Sequence, residues 1–346
     1  MMDNPGTYTR QEILSQPAAW EQTFAQVQSQ VGSLLSFYRS AACDYAIFTG
    51  CGSTYYLSLA AAATFQELTG IPARALPASE LWLYPRLAYP ARGRILLSAF
   101  SRSGETSETL QACRAFQNDS RGNLVTYSCS ADSPLAGLGH LNLAFPAGME
   151  NSYVQTRAFT SLFLAALAVM TLWSGREDLF SQLGQLPGVA GRLLDHHSPS
   201  AARLGRDLQF DRFYFLGSGP RYGLACELSL KMKEMSLTHS EPFHFMEFRH
   251  GPKTMLTGST LLVGLVSQAS HENERAVLEE MRREGASILD LGESDTIIPF
   301  HSGLDEAVRN VLYLPIGQLI ALERALAKQI DPDRPHNLDA VVKLEI

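Results

Sequence analysis

The stretch Ile95-Leu96-Leu97-Ser98-Ala99-Phe100-Ser101-Arg102-Ser103-Gly104-Glu105-Thr106 decides the fold. Its first six residues form a mostly apolar run, which predicts a buried strand. Hydroxyls, an arginine and a glycine follow, and then a helix-like pattern through Ser107, Leu110 and Phe116. A strand that ends this way just before a helix has the makings of an anion site. The first helical N–H groups lack intrahelical partners, and that end of the dipole is positive. Gly104 lets the backbone approach a ligand closely. Ser101, Ser103 and Thr106 add neutral donors, and Arg102 adds charge. The Gly-Lys-Ser/Thr ending of a nucleotide loop is missing. The competing reading is an ordinary helix start with Thr106 as its N-cap.

Working outward, Tyr45-Ala46-Ile47-Phe48-Thr49 predicts an earlier strand, followed by Gly50-Cys51-Gly52-Ser53-Thr54 and a helix through Ala61 and Phe65. Further strands are expected at 73–76, 124–128 and 141–145. Residues 45–173 therefore alternate strand and helix, which implies a parallel sheet covered by helices on both faces. The pattern then repeats. Phe213-Tyr214-Phe215-Leu216 with Gly217-Ser218-Gly219 matches the first strand and its turn, about 167 positions on. A strand over 261–266 corresponds to the Ile95 strand, and its loop, Ser267-Gln268-Ala269-Ser270-His271-Glu272, has lost the glycine. A helix over 272–284 and a strand over 288–291 follow. Two copies of one α/β unit are expected, of which only the first keeps a good phosphate loop. The boundaries expected are an N-terminal arm and helices over 1–40, a first domain over 41–175, a linker and helix over 176–206, a second domain over 207–330 and a tail over 331–346. The linker reading rests on Gly, Pro and Ser between Gly175 and Arg206.

At 346 residues the chain has room for about two domains. The composition, 45% hydrophobic and 18% charged, is that of a soluble globular protein. The formal charge of -7 with no basic stripe argues against nucleic acid or an anionic membrane as partner. Five scattered cysteines without close spacing point to a reducing cytoplasm. The polar opening, 1–16, predicts no secretory signal. Ala158 to Gly175 carries no charge, but it is short for a membrane span and holds several hydroxyls, so a buried core helix is expected. No His/Asp/Glu group has metal-ligand spacing, so neither a metal nor a cofactor is expected.

Glu227, Lys231 and Glu234 stand at i, i+4 and i+7 on one helix face, just after the second glycine turn. The plain reading is a solvated Glu-Lys pair. The chemical reading is a carboxylate beside groups that tune it for moving a proton on and off carbon. His250, before Gly251-Pro252, sits at a turn where it can serve as a general acid or base.

The ordered set of motifs resembles the sugar isomerase (SIS) family, specifically the isomerase half of glutamine–fructose-6-phosphate amidotransferase. The matching stretches are Cys51-Gly52-Ser53-Thr54, Ser101 to Thr106, Gly148-Met149-Glu150 through Thr156-Arg157-Ala158-Phe159-Thr160, Phe215-Leu216-Gly217, Leu224 to Glu227, Leu230 to Glu234, and Arg249-His250-Gly251-Pro252. The opening Gln11-Glu12-Ile13 and the closing Pro335-His336-Asn337-Leu338 also fit. The resemblance implies two tandem SIS domains, each a mainly parallel sheet in a flavodoxin-like three-layer α/β/α arrangement, and a homodimer. It implies a 6-phosphosugar held by Ser101, Arg102, Ser103 and Thr106, with Thr54 and Ser53 nearby and Gly52, Tyr153, Val154 and Gln155 in the sugar pocket. Glu234 would shuttle the proton between C1 and C2. His250, shared across the dimer interface, would open the ring, and Lys231 and Glu227 would position substrate and base.

The departures from the family are also informative. The amidotransferase carries a glutaminase domain with an N-terminal cysteine, whereas this sequence begins Met1-Met2-Asp3, so ammonia from glutamine is not expected. Ala340 stands where the family has its Schiff-base lysine, with Lys343 three residues on. Arg102 replaces a glutamine and Gln155 a serine. The leading expectation is an amino-sugar-phosphate deaminase, with glucosamine 6-phosphate going to fructose 6-phosphate and ammonia. An aldose–ketose phosphosugar isomerase, a fructosamine-6-phosphate deglycase and a non-catalytic phosphosugar sensor remain as alternatives. The sugar epimer, the amine substituent and the direction of reaction are left open.

Overall fold

The computed structural model describes residues 4–341. It contains two parallel five-stranded sheets flanked by helices. The strands of the first are β1 (Tyr45–Gly50), β2 (Ala73–Pro77), β3 (Ile95–Ser101), β4 (Gly122–Ser128) and β5 (Leu141–Ala144). Those of the second are β6 (Arg212–Leu216), β7 (His239–Phe243), β8 (Thr260–Leu265), β9 (Ser287–Gly292) and β10 (Ile298–Pro299). The first sheet has the order β2-β1-β3-β4-β5, and the second β7-β6-β8-β9-β10. Both are the flavodoxin-like 2-1-3-4-5 order, and the repeat read from sequence is a repeat of topology.

Two compact units hold these sheets. One comprises residues 18–150, 157–184 and 339–341, and the other residues 4–17, 151–156 and 185–338. Each is discontinuous in sequence.

In the unit of the first sheet, β3 is central and buried at all seven positions, so it reads as one apolar run. Its alternate side chains face two layers. Leu97 and Ala99 pack with Leu81, Leu110 and Phe116 from helices on one side. Phe100 stacks on Tyr127 with ring centroids 4.5 Å apart, and Phe48 meets Phe65 of the helix Ser53–Thr69. The charge-free segment forms the helix Arg157–Trp173, buried from Ala158 to Trp173, as an all-round apolar helix in a core should be. Trp20 Nε1 donates to Thr160 Oγ1 of this helix at 2.9 Å, and Trp173 Nε1 donates to the Leu34 carbonyl at 3.1 Å. Among the described residues no helix is long and apolar enough to cross a membrane, and all five cysteines are free thiols.

In the other unit, Tyr214, Leu216 and Leu262 pack against Phe245, Phe248, Leu278 and Met281. The helices Leu186–Arg206, Pro220–Ser236 and Leu314–Ala327 pack together. Two departures from the sequence reading have clear causes. The segment 176–206, expected to hold a linker and a helix, forms the two helices Glu177–Leu183 and Leu186–Arg206. Leu186, Val189, Ala190, Leu193 and Leu194 make a buried i, i+3, i+4, i+7, i+8 stripe, and that periodicity outweighs Gly, Ser and the internal Pro199. The strand β7 was not legible either. His239-Ser240-Glu241-Pro242-Phe243 is polar and contains a proline, which only a sheet edge tolerates, and β7 pairs with β6 alone.

Candidate functional site

In a sheet of this order, ligands bind beyond the carboxyl ends of the strands where the winding reverses, here between β1 and β3. The turn after β1 and the loop after β3 flank that point. Gly52 takes φ 55° and ψ −123°, a backbone that favours glycine. Thr54 Oγ1 accepts from the Cys51 amide and donates to the Cys51 carbonyl, both at 2.9 Å, so this hydroxyl clamps the turn. Ser53 is buried at the start of the helix. Burial pushes the Cys51 thiol up, which keeps it protonated and disfavours a nucleophilic thiolate.

In the loop after β3, Ser101 Oγ accepts the Gly104 amide at 3.0 Å, and Ser103 Oγ accepts the Glu105 amide at 3.2 Å. Gly104 has φ 69°, and its Cα lies so close to Ser133 that a Cβ would collide with that side chain. Thr106 does occupy the N-cap position of the helix Ser107–Asn118. Its hydroxyl makes no capping bond and instead lies 3.1 Å from Ser101 Oγ. Hydroxyls, a tight glycine and the positive end of a twelve-residue helix thus come together, as the anion reading requires. Arg102 behaves differently from its neighbours. Its guanidinium donates to the Ala340 carbonyl at 2.9 Å and lies 3.7 Å from the buried Glu150 carboxylate.

In the other unit, the helix Pro220–Ser236 brings the three charged residues into one ion-pair chain. Lys231 Nζ is 2.5 Å from Glu234 Oε2 and 3.3 Å from Glu227 Oε1. The side chains of Lys231 and Glu227 are fully buried, while Glu234 is 18% exposed, so Glu234 is the member of the chain that solvent can reach. Burial alone would lower the Lys231 ammonium, but the Glu227 and Glu234 carboxylates together hold it above its ordinary value. A solvated surface pair is therefore the wrong description of this cluster. His250 is exposed on the turn after the helix Phe245–Phe248, and its amide donates to the Glu247 carbonyl at 3.0 Å. Among the described residues no bond joins its imidazole to the Glu-Lys-Glu chain.

The segment 151–156 carries Tyr153, Val154 and Gln155. Glu12 accepts the Asn151 amide at 2.6 Å and the Ser152 amide at 3.3 Å, and the Tyr153 amide donates to the Asp333 carbonyl at 3.0 Å. Asp333 also accepts the amide and hydroxyl of Thr9, each at 2.7 Å. Glu12 of the opening motif and Asp333, just before the closing motif, thus clamp this segment. Val154 is buried, and Gln155 Oε1 is a buried acceptor with no hydrogen-bond partner among the described residues, which marks it as available to a ligand. Lys343 lies outside the described residues.

Sequence reasoning missed one pair beside the second glycine turn. His244 lies face-on to Tyr222, ring centroids 3.9 Å apart. Burial lowers its pKa below the ordinary 6.5, more than Glu247 raises it. The only signal was the aromatic-rich run around it. Glu150, beside Arg102, was visible as part of a motif but not as the arginine's counter-charge.

Residues 41–173 match the family model described as SIS domain. Residues 41–173 form a SIS domain. Beyond it, the chain is homologous to the isomerase half of glutamine–fructose-6-phosphate aminotransferase [isomerizing]. It is 26% identical to that of Methanothermobacter thermautotrophicus over 344 residues, which is 96% of this chain and 57% of the relative. It is 30% identical to that of Xanthomonas campestris over 320 residues, 85% of this chain and 51% of the relative. The chain thus spans little more than half the length of these curated relatives. Among solved structures, glucosamine-6-phosphate deaminase from Thermotoga maritima is similar at 27% identity and a TM-score of 0.81, over 98% of this chain and 100% of that one. The fold is shared with tagatose-6-phosphate ketose/aldose isomerase from Escherichia coli, at 20% identity and a TM-score of 0.86 over 97% and 99%.

Proposed function

We propose that this protein is a phosphosugar isomerase whose substrate is an amino-sugar 6-phosphate and whose products are a ketose phosphate and an amine. Glucosamine 6-phosphate going to fructose 6-phosphate and ammonia is the first candidate. The observation that carries the reading is the chain Glu227–Lys231–Glu234, in which two buried groups hold one partly exposed carboxylate. Such a carboxylate is fit to move a proton between adjacent carbons. On this reading Glu234 takes the proton from C2 of the open-chain sugar and returns it to C1. The enolamine becomes a ketose imine, and water adds to the imine and expels ammonia, so substrate and water balance product and ammonia. Ser101, Ser103, Thr106 and the helix start behind them would hold the phosphate, with Ser53, Thr54 and Arg102 shaping the loop around it. Gly52, Tyr153, Val154 and Gln155 would meet the sugar. His250, exposed on its turn, would open the ring as part of a homodimer. Similarity to a glucosamine-6-phosphate deaminase over the whole chain supports the amine-releasing direction.

The test is ammonia release from glucosamine 6-phosphate, with galactosamine 6-phosphate and fructosamine 6-phosphates alongside. Release that falls 10²–10⁴-fold in Glu234→Gln, on the scale of a general base, is the expected result. Phosphosugar binding with no turnover of any substrate would replace this reading with the sensor. Amino-acid release from fructosamine 6-phosphates alone would make it a deglycase.

A further inference from the structure

The loop after β8 keeps one hydrogen bond of the loop after β3, although Ser270 takes φ −117° where Gly104 takes φ 69°. The Ser270 amide donates to Ser267 Oγ at 2.9 Å, as the Gly104 amide does to Ser101 Oγ. The turn after β6 likewise repeats the turn after β1: Gly219 has φ 57° and ψ −134°, close to the angles of Gly52. Arg221 stands two residues past Gly219, where Thr54 stands past Gly52. The second unit therefore flanks its own point of reversal with a matching turn and a related loop, and adds a cation.

That seat already holds an anion. The Gln268 amide donates to Glu306 Oε1 at 3.2 Å, and the Ala269 amide to Oε2 at 3.1 Å. The buried Arg221 guanidinium donates to Oε1 at 2.5 Å. Successive backbone amides and a guanidinium closing on one pair of oxygens are the means by which proteins hold phosphate and carboxylate ligands. Gln268 and Ala269 are the counterparts of Arg102 and Ser103. Glu306 does not depend on the loop for its position. It sits in the first turn of the helix Glu306–Arg309, fixed by Asp305, whose carboxylate accepts the Ala307 amide at 2.9 Å. The neighbouring Ser267 amide is taken by Glu274 at 2.6 Å, so the seat consists of two amides and Arg221.

We infer that Glu306 is a built-in occupant of a second anion seat, a carboxylate of the chain itself standing where a ligand's phosphate would stand. The loss of the loop glycine and the filled seat both set the second half apart from the first. With Glu306 in place the second unit takes no phosphate ester. With the carboxylate removed, the seat accepts a small oxyanion, for which the open cleft lined by Ser267, Gln268, Ala269 and Ser270 is the way in.

The experiment uses the full chain carrying Glu306→Ala, titrated calorimetrically with inorganic phosphate and crystallised with sulfate. The expected result is one more phosphate per chain than the unsubstituted protein binds, with sulfate on the Gln268 and Ala269 amides and Arg221. Adding Arg221→Met should abolish that extra ion. A folded Glu306→Ala protein that binds no extra phosphate overturns the inference, as does an extra ion that survives Arg221→Met. Should Glu306→Ala not fold, Glu306→Gln keeps the shape and removes the charge. Sulfate displacing the glutamine amide from the loop supports the inference, and an unchanged loop at high sulfate overturns it. The readout is local to the second loop, so it stands apart from whether the enzyme turns over any sugar.

Discussion

Arg102 Nη2 donates to the carbonyl oxygen of Ala340 at 2.9 Å, while Nη1 lies 3.7 Å from Glu150 Oε2. Arg102 thus ties the loop after β3 to the chain at Ala340. Arg102→Gln removes the guanidinium that lies 3.7 Å from the fully buried Glu150 side chain and donates to Ala340. A loss of about 2 kcal/mol is expected, on the scale of a buried hydrogen bond to a charged group. Urea unfolding reads it as a lower midpoint at unchanged slope, and an unchanged midpoint would show that the tie carries no stability.

Lys231 is the cation between two carboxylates, and Lys231→Met leaves Glu227 buried without it. The expected cost is about 3–5 kcal/mol, and the double variant Glu227→Gln/Lys231→Met should recover part of it. The sign of the pH dependence follows from the raised pKa of Lys231. Its contribution is fully present below the unfolded value of 10.5 and is lost as pH rises through the higher folded value. The stability difference between wild type and Lys231→Met should therefore stay level from neutral pH to about 10 and narrow only above it. Narrowing at pH 8 would contradict this.

His244 works in the opposite direction. Its pKa is depressed, chiefly by partial desolvation of a ring that stacks on Tyr222 while the residue stays exposed, so the folded state favours the neutral ring. Its contribution is present above 6.5 and is lost as pH falls through the folded value. His244→Phe keeps a ring for the stack and removes the titration. The variant is expected to show a shallower fall in melting temperature on acidification below pH 6.5 than the wild type. Parallel curves would remove His244 from the account.

Gly104 is required twice, by its φ of 69° and by its contact with Ser133. Gly104→Ala is expected to cost about 2 kcal/mol or more, since strain in the left-handed region adds to a collision with a neighbouring side chain. Phosphosugar affinity should fall with it, because the loop must open to relieve the clash. Calorimetric binding alongside thermal unfolding checks both, and an unchanged affinity would place the phosphate elsewhere.

Much of this protein can be read from its residues in order. The apolar run Ile95 to Phe100, the glycine turns and the offset between the two copies identify a duplicated parallel α/β unit, because side-chain period and turn chemistry are local properties. The spacing of Glu227, Lys231 and Glu234 places them on one helix face for the same reason. What stayed hidden depends on partners far along the chain. The burial of Glu227 and Lys231 that turns that face into an ion-pair chain is set by tertiary packing. The meeting of Glu12 with Asn151, of Arg102 with Ala340 and of Glu306 with the loop after β8 is likewise set by the fold. The edge strand β7 escaped because its polar, proline-containing run is stabilised by pairing with β6 rather than by any preference of its own. The local pattern therefore determined the elements and their repetition. Tertiary structure alone decided which charges lost their water and which carboxylate filled which cradle, since both depend on groups that sequence separates and folding brings together.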